Sequence, residues 1–246
     1  MSTTARDSAS SRRGAHPDDA AELAGPPGPD EDDLDEDWDD EPGDGTDPHA
    51  PSRRWGLLLV VGSALGFLAS MVLTIDRFKL LADPEAQFAC DISPFVACGP
   101  VMSSAAGALF GFPNPLLGIA GFAITGTLGV MVASGVRPPR WVLLGLQLGV
   151  LAAAVFISWL QFQTLYVVNA LCLWCMLVWV VTIPIAVTTT VTTMRSGALG
   201  SALQRAGVAL RDWQWVLVVA WYVVVASLVV LRFYREFARY YFGVTL

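Results

Sequence analysis

From residue 55 onward the chain is built of long apolar runs separated by short polar breaks, and the runs are of nearly one size. Five of them, at about 55–75, 116–136, 141–161, 165–187 and 213–231, contain no Asp, Glu, Lys or Arg. A bilayer core about 30 Å thick takes roughly 20 apolar helical residues to cross. Each run therefore predicts a transmembrane helix, and together they predict an all-α membrane protein. Pro138 and Pro139 force a tight connection between the second and third runs, and Pro184 lies where the fourth helix can kink or finish. A shorter apolar stretch at 101–110 is too short to span. It is expected to lie along the membrane interface, where Ser103, Ser104 and Gly107 serve either to cap a pocket or simply to pack against a helix.

Composition agrees with the pattern: 54% of the 246 residues are hydrophobic and only 15% are charged, too apolar for a soluble domain of this size. The net charge of -7 averages two unlike segments. Residues 1–50 hold 16 acidic and 3 basic side chains, whereas residues 51–246 hold 6 acidic and 12 basic. The first segment has almost nothing apolar to bury, so it is expected to be a disordered, solvating tail rather than a folded domain. Its polarity up to residue 54 also argues against an ordinary cleaved signal peptide.

Basic residues near span ends tend to stay cytoplasmic. Arg53, Arg54, Arg137, Arg140, Arg195, Arg205 and Arg211 fall on the side of the tail, against Arg77, Lys79, Arg232, Arg235 and Arg239 on the other. The tail is therefore expected in the cytoplasm of a multi-pass membrane protein. The C-terminal arginines run against the rule, and would obey it if the fifth run did not cross.

This layout puts all four cysteines on one face of the membrane. Cys90 and Cys98 follow the first span, and Cys172 and Cys175 lie at the start of the fourth, so both pairs face the same, extracytoplasmic and oxidising, compartment. Cys172-Leu173-Trp174-Cys175 is a C-x-x-C at a helix start, a spacing suited to reversible two-electron exchange. The competing readings are half of a zinc site or a chance pair. Zinc would want two more ligands, but His16 and His49 are in the tail and the loop cysteines lack metal-type spacing, so no metal is expected. Cys90 and Cys98 taken alone could equally be a structural disulfide. Beside a C-x-x-C they can act as a relay between a soluble dithiol protein and the membrane edge. No flavin, haem or metal motif is visible, and a lipid-soluble two-electron acceptor is required; a quinone meets that need. The absence of charge inside the spans argues against an ion or proton pathway, and so against a transporter subunit with merely structural disulfides.

The stretch Cys90-Asp91-Ile92-Ser93-Pro94-Phe95-Val96-Ala97-Cys98-Gly99-Pro100-Val101-Met102-Ser103-Ser104 is followed by Phe110-Gly111-Phe112-Pro113-Asn114-Pro115-Leu116-Leu117-Gly118 and then by the C-x-x-C. In that order these motifs resemble the bacterial homologues of vitamin K epoxide reductase, especially their actinobacterial branch, over about 55–187. The resemblance implies a four-transmembrane-helix bundle at 51–190 that holds the redox site and includes an extracytoplasmic loop at 76–115. Residues 191–246 then form a cytoplasmic linker, a fifth transmembrane helix and a short C-terminus. It further implies that Cys175 meets the quinone (menaquinone or a relative), Cys172 exchanges with Cys98, and Cys90 exchanges with the partner. Ser104 would support the site, Asn114 would donate to a quinone oxygen, and Met102 and Phe112 would wall the ring. Asn114 between two prolines also reads as a plain turn residue.

One departure concerns Trp179, one helical turn below Cys175, where the vertebrate enzymes have a tyrosine that serves epoxide reduction. An indole is no oxygen acid, which favours plain quinone reduction; Trp174 and Trp179 also suit interface or packing roles. Many bacterial relatives carry a fused thioredoxin-like domain, but only about 15 residues follow the fifth run. The expected partner is thus a separate exported DsbA-like thioredoxin-fold protein, with lipid and quinone and no nucleic acid. A DsbB-type disulfide oxidase is the nearest alternative, but it has the C-x-x-C before the wider pair.

Overall fold

The computed structural model describes residues 51–83, 87–88, 90–91 and 96–242, the last eight by backbone alone. The acidic tail lies outside the described residues. Five long helices carry the five apolar runs: α1 (Arg53–Ala82), α3 (Pro115–Ala133), α4 (Arg140–Phe162), α5 (Leu173–Arg195) and α7 (Gln214–Phe242). All five are long and apolar enough to cross a membrane. Two short helices join them, α2 (Cys98–Ser103) between α1 and α3 and α6 (Ser201–Leu210) between α5 and α7. Among the described residues there is no strand, only a one-residue parallel bridge between Val96 and Leu171. The chain is an all-α, multi-pass membrane protein.

Local chemistry sets the helix ends. The Ser52 hydroxyl accepts a hydrogen bond from the Trp55 N–H and caps α1. Pro115 opens α3, where a missing N–H costs nothing, and α4 starts directly after Pro139. Three boundaries differ from the hydropathy pattern, the simplest being the end of α7, which runs on from 231 to Phe242. α1 runs on to Ala82, carrying Asp76, Arg77 and Lys79 on a helical extension of the first span. The fourth span begins at Leu173 rather than near 165, because residues 163–168 continue α4 as a turn of π-helix. Asn169 then takes a left-handed conformation, φ 56°, and ends it. Apolarity runs through this break, so hydropathy alone cannot see it.

α1 and α3 approach closely because glycines face each other. A Cβ built on Gly56 would lie 2.6 Å from the Ala133 nitrogen, and one on Gly129 would lie 2.8 Å from Leu59 Cβ and 2.9 Å from the Val60 nitrogen. α4 and α5 are tied by a hydrogen bond from Gln147 Nε2 to Thr190 Oγ1, 2.9 Å long. The apolar core of Trp55, Leu59, Val132, Leu143, Leu146, Val150, Ala154, Ile185 and Ala186 joins these four helices.

α7 docks on this bundle through a polar contact inside an apolar surface. Pro184 has no N–H to give to the carbonyl of Val180, one turn earlier in α5. The Tyr222 hydroxyl of α7 donates to that carbonyl, so a proline that would leave a backbone acceptor bare becomes a docking point. In lipid there is no water to take that place.

The glycine contacts predict that Gly129→Val, which must push backbone away from backbone, destabilises the protein by about 1–3 kcal/mol. Gly121→Ala, on the same helix with open space where the Cβ would go, leaves stability unchanged or raised. Thermal unfolding in detergent measures both, and equal melting of the two variants would contradict the close approach.

Candidate functional site

The site forms at one end of the bundle, where the end of α1, the segment before α2 and the start of α5 converge. The Val96–Leu171 bridge, with the Ala97 N–H donating to the Leu171 carbonyl at 2.9 Å, fixes the register of the two segments. Each segment's next residues are the cysteines, Cys98 after Ala97 and Cys172 after Leu171. The consequence is that Cys98 Sγ and Cys172 Sγ lie 3.2 Å apart.

Cys90 and Cys98 form a disulfide, and Cys172 and Cys175 are free thiols. Asp91 organises the loop pair: its carboxylate accepts from the Phe88 N–H at 3.1 Å and from the Cys98 N–H at 2.9 Å. It thus closes the turn that contains Cys90 and satisfies the first N–H of α2, which Ala97 cannot cap. The Arg77 guanidinium, on the extension of α1, donates to the Met102 carbonyl and ties α2 to α1.

Cys172 is the N-cap of α5, and its sulfur accepts from the Cys175 N–H at 3.4 Å. The C-x-x-C spacing is therefore a capping geometry, with the first sulfur held over the helix start and the second one turn in. Cys172 stands just outside the spanning segment. Its thiol is held below its ordinary range, chiefly by the hydrogen bond from the Cys175 side chain and further by the N–H groups of Cys175 and Trp174. Burial, and to a lesser degree the charge of Asp76, oppose the shift.

Cys90, Cys98 and Cys172 are all buried, in one cluster with Leu73, Phe88 and Met102. Cys175 is only partly buried and lies between this cluster and a second, of Ile157, Trp179, Ile183 and Val218. Among the described residues, no group of His, Cys, Asp and Glu side chains is placed to hold a metal ion.

The other candidate residues sort by position. Met102 is buried against the cysteines. Trp179 is buried in the second cluster with Cys175 at its edge. The Ser104 hydroxyl donates to the Val101 carbonyl, within its own turn. Asn114 is buried, with Oδ1 accepting from the Leu109 N–H and Nδ2 donating to the Ala106 carbonyl. Those are contacts of the kind a turn residue makes, and they leave one amide hydrogen. Phe112 is half-exposed and stacked on Phe110, which in turn meets Phe156 of α4. Asp91, Arg77 and Leu171 carry no motif that marks them as site residues in the sequence. The only sign was the position of Asp91 inside the loop pair.

A model described as the vitamin K epoxide reductase family matches residues 57–190. The match takes in nearly all of α1, the loop, α3, α4 and most of α5, and stops before α6 and α7. No curated protein is a significant match to the chain.

The capping geometry predicts a pH dependence. Since the charged form of Cys172 is favoured, its thiolate appears as pH rises through a midpoint below 9.0, the value of an ordinary thiol, and is lost below that midpoint. In protein holding the Cys90–Cys98 disulfide, titration of the ultraviolet thiolate absorbance should show this midpoint, and Cys175→Ala should raise it. A midpoint at or above 9.0 in the parent protein would contradict the arrangement.

Proposed function

Because the chain belongs to the vitamin K epoxide reductase family, whose members are membrane thiol–disulfide oxidoreductases, we propose that it is a quinone-dependent thiol oxidase that generates disulfides in exported proteins. The family works in general with quinones and with thioredoxin-fold partners. The finer reading is a separate exported DsbA-like partner, re-oxidised through Cys90 and Cys98, then Cys172 and Cys175, with menaquinone or a relative as acceptor. One observation carries it: a disulfide sulfur, Cys98, within 3.2 Å of a free cysteine sulfur whose own C-x-x-C partner is the least buried of the four. That separation is in the range of a near-attack arrangement.

The electron pair moves by successive exchanges. A partner thiolate attacks Cys90 and releases Cys98 as a thiolate; the partner's second thiol then closes the partner disulfide and frees Cys90. Cys98 attacks Cys172 of an oxidised C-x-x-C and releases Cys175. Attack of Cys90 on Cys98 re-forms the loop disulfide and leaves Cys172 and Cys175 reduced, which is the state the structure has. Cys175 passes the pair to the quinone and the C-x-x-C disulfide closes again. The two partner thiols supply two electrons and two protons, and quinone becomes hydroquinone, so no further reductant is needed. Cys90 is buried beneath Phe88 and Leu73, so attack by a partner requires the turn held by Asp91 to lift.

The surroundings of Cys175 suit a quinone ring in having apolar walls on both sides, from the Met102 and Trp179 clusters. The remaining amide hydrogen of Asn114 is the candidate donor to the ring oxygen, and Ser104 and Phe112 the candidate outer supports. On this reading the tail and the α5–α6–α7 connection are cytoplasmic and the cysteines extracytoplasmic, with the bacterial plasma membrane as the location. Quinone reduction is favoured over epoxide reduction, because the Trp179 indole offers no oxygen acid, and the Tyr222 hydroxyl packed against the same cluster donates to the Val180 carbonyl.

Purified protein supplied with a reduced dithiol should reduce quinone, read by its ultraviolet spectrum, and Cys175→Ala should abolish this while leaving thermal unfolding unchanged. Cys90→Ala should block oxidation of a reduced thioredoxin-fold protein and spare turnover with a small dithiol. Full turnover by Cys175→Ala would overturn the mechanism; equal loss with both donors in Cys90→Ala would make the loop pair a structural disulfide. For Asn114→Ala the expected result is a raised quinone requirement, and an unchanged one would return Asn114 to a turn residue.

A further inference from the structure

α7 lies beyond the residues of the family match, yet its far end reaches the segment that carries Cys172. The Arg232 guanidinium donates through Nε to the Leu165 carbonyl at 3.1 Å and through an Nη to the Asn169 side-chain oxygen. Leu165 belongs to the π-helical turn at the end of α4, and Asn169 is the left-handed residue that breaks the helix three positions before Cys172. A carbonyl in the last turn of a helix has no partner further along its own backbone. In a membrane-edge position a planar guanidinium is suited to take this carbonyl and a side-chain oxygen at once.

The next residue, Phe233, is 2% exposed and fills a cluster with Leu165 and Leu171, against Val96 and Met176. Leu171 and Val96 are the two bridge residues that set Cys172 beside Cys98. Arg232 therefore fixes the turn, and Phe233 packs against both bridge residues.

We infer that Arg232 and Phe233 of α7 are positioning residues for exchange between the two cysteine pairs, holding the 165–171 segment so that Cys172 stays within reach of Cys98. This rests on the relay reading given above. It also gives the C-terminal arginine at this site a purpose other than topology. Removing the clamp leaves Cys172 and Cys175 with each other but lowers the effective concentration of Cys98 at Cys172.

The test uses the full chain carrying Cys90→Ser and Cys175→Ser, so that Cys98 and Cys172 are the only cysteines. Equilibration with oxidised and reduced glutathione closes their disulfide as one glutathione disulfide becomes two glutathiones, and the position of that equilibrium measures how well the two sulfurs are held together. No quinone or partner enters, so a wrong acceptor cannot change the outcome. Loss of a hydrogen-bonded charged donor is expected to lower the constant at least about tenfold in Arg232→Ala, with Arg232→Lys in between. Leu231→Ala, the neighbouring exposed position, should match the parent. Phe233→Leu keeps an apolar side chain that folds readily and should lower the constant by a smaller factor. A constant within twofold of the parent in Arg232→Ala or in Phe233→Leu, even with a lowered melting temperature, would overturn the inference, as would an equal loss in Leu231→Ala.

Discussion

A single backbone contact underlies the chemistry proposed for this protein: the bridge between Val96 and Leu171, closed by the Ala97 N–H on the Leu171 carbonyl. Cys98 and Cys172 are 74 residues apart in the chain, and neither lies inside a long helix, so their sulfurs meet through the segments that join the helices. The bridge brings them together by register: one residue beyond each bridging segment lies a cysteine. Everything else at this end of the molecule supports that register. Asp91 holds the turn around Cys90 and the first N–H of α2, Arg77 ties α2 to α1, and the Cys175 N–H holds the Cys172 sulfur over α5.

The second constraint is that of a lipid solvent. Backbone acceptors released by a proline, a π-helical turn or a left-handed residue cannot be left to water in a membrane. In this chain α7 supplies the missing donors, Tyr222 to the Val180 carbonyl below Pro184 and Arg232 to the Leu165 carbonyl at the end of α4. A helix with little apolar burial of its own is thereby fixed at two depths. The irregular backbone that shapes the site and the helix that lies outside the family match are two parts of one solution.

The number and class of the elements were legible because apolar runs of spanning length leave few alternatives. The gathering of the cysteines was legible for a different reason. An even number of crossings between two positions returns the chain to the same side, so the loop pair and the cysteines at the start of α5 are expected at one end. What could not be read depends on single side chains at breaks in the pattern. Residues 165–172 are apolar except for Asn169, and only that residue hints that a helix stops there. Arg77 and Arg232 register in a charge count as topology signals, whereas in the structure both donate to backbone carbonyls. Asp91 looks like an ordinary turn former until its two N–H partners are seen to span the cysteine pair. Asn114 remained open between turn and quinone donor in sequence, and its two loop hydrogen bonds still leave one amide hydrogen for the second role.

In the proposed relay, electrons pass between the pairs through Cys98 and Cys172 and no other combination. Acid quenching of the four-cysteine protein during turnover with a reduced thioredoxin-fold donor, followed by mass-spectrometric mapping of disulfide-linked peptides, tests it most directly. A transient Cys98–Cys172 link should rise and decay with turnover. Finding Cys90 joined to Cys172, or Cys98 joined to Cys175, as the transient species would contradict it.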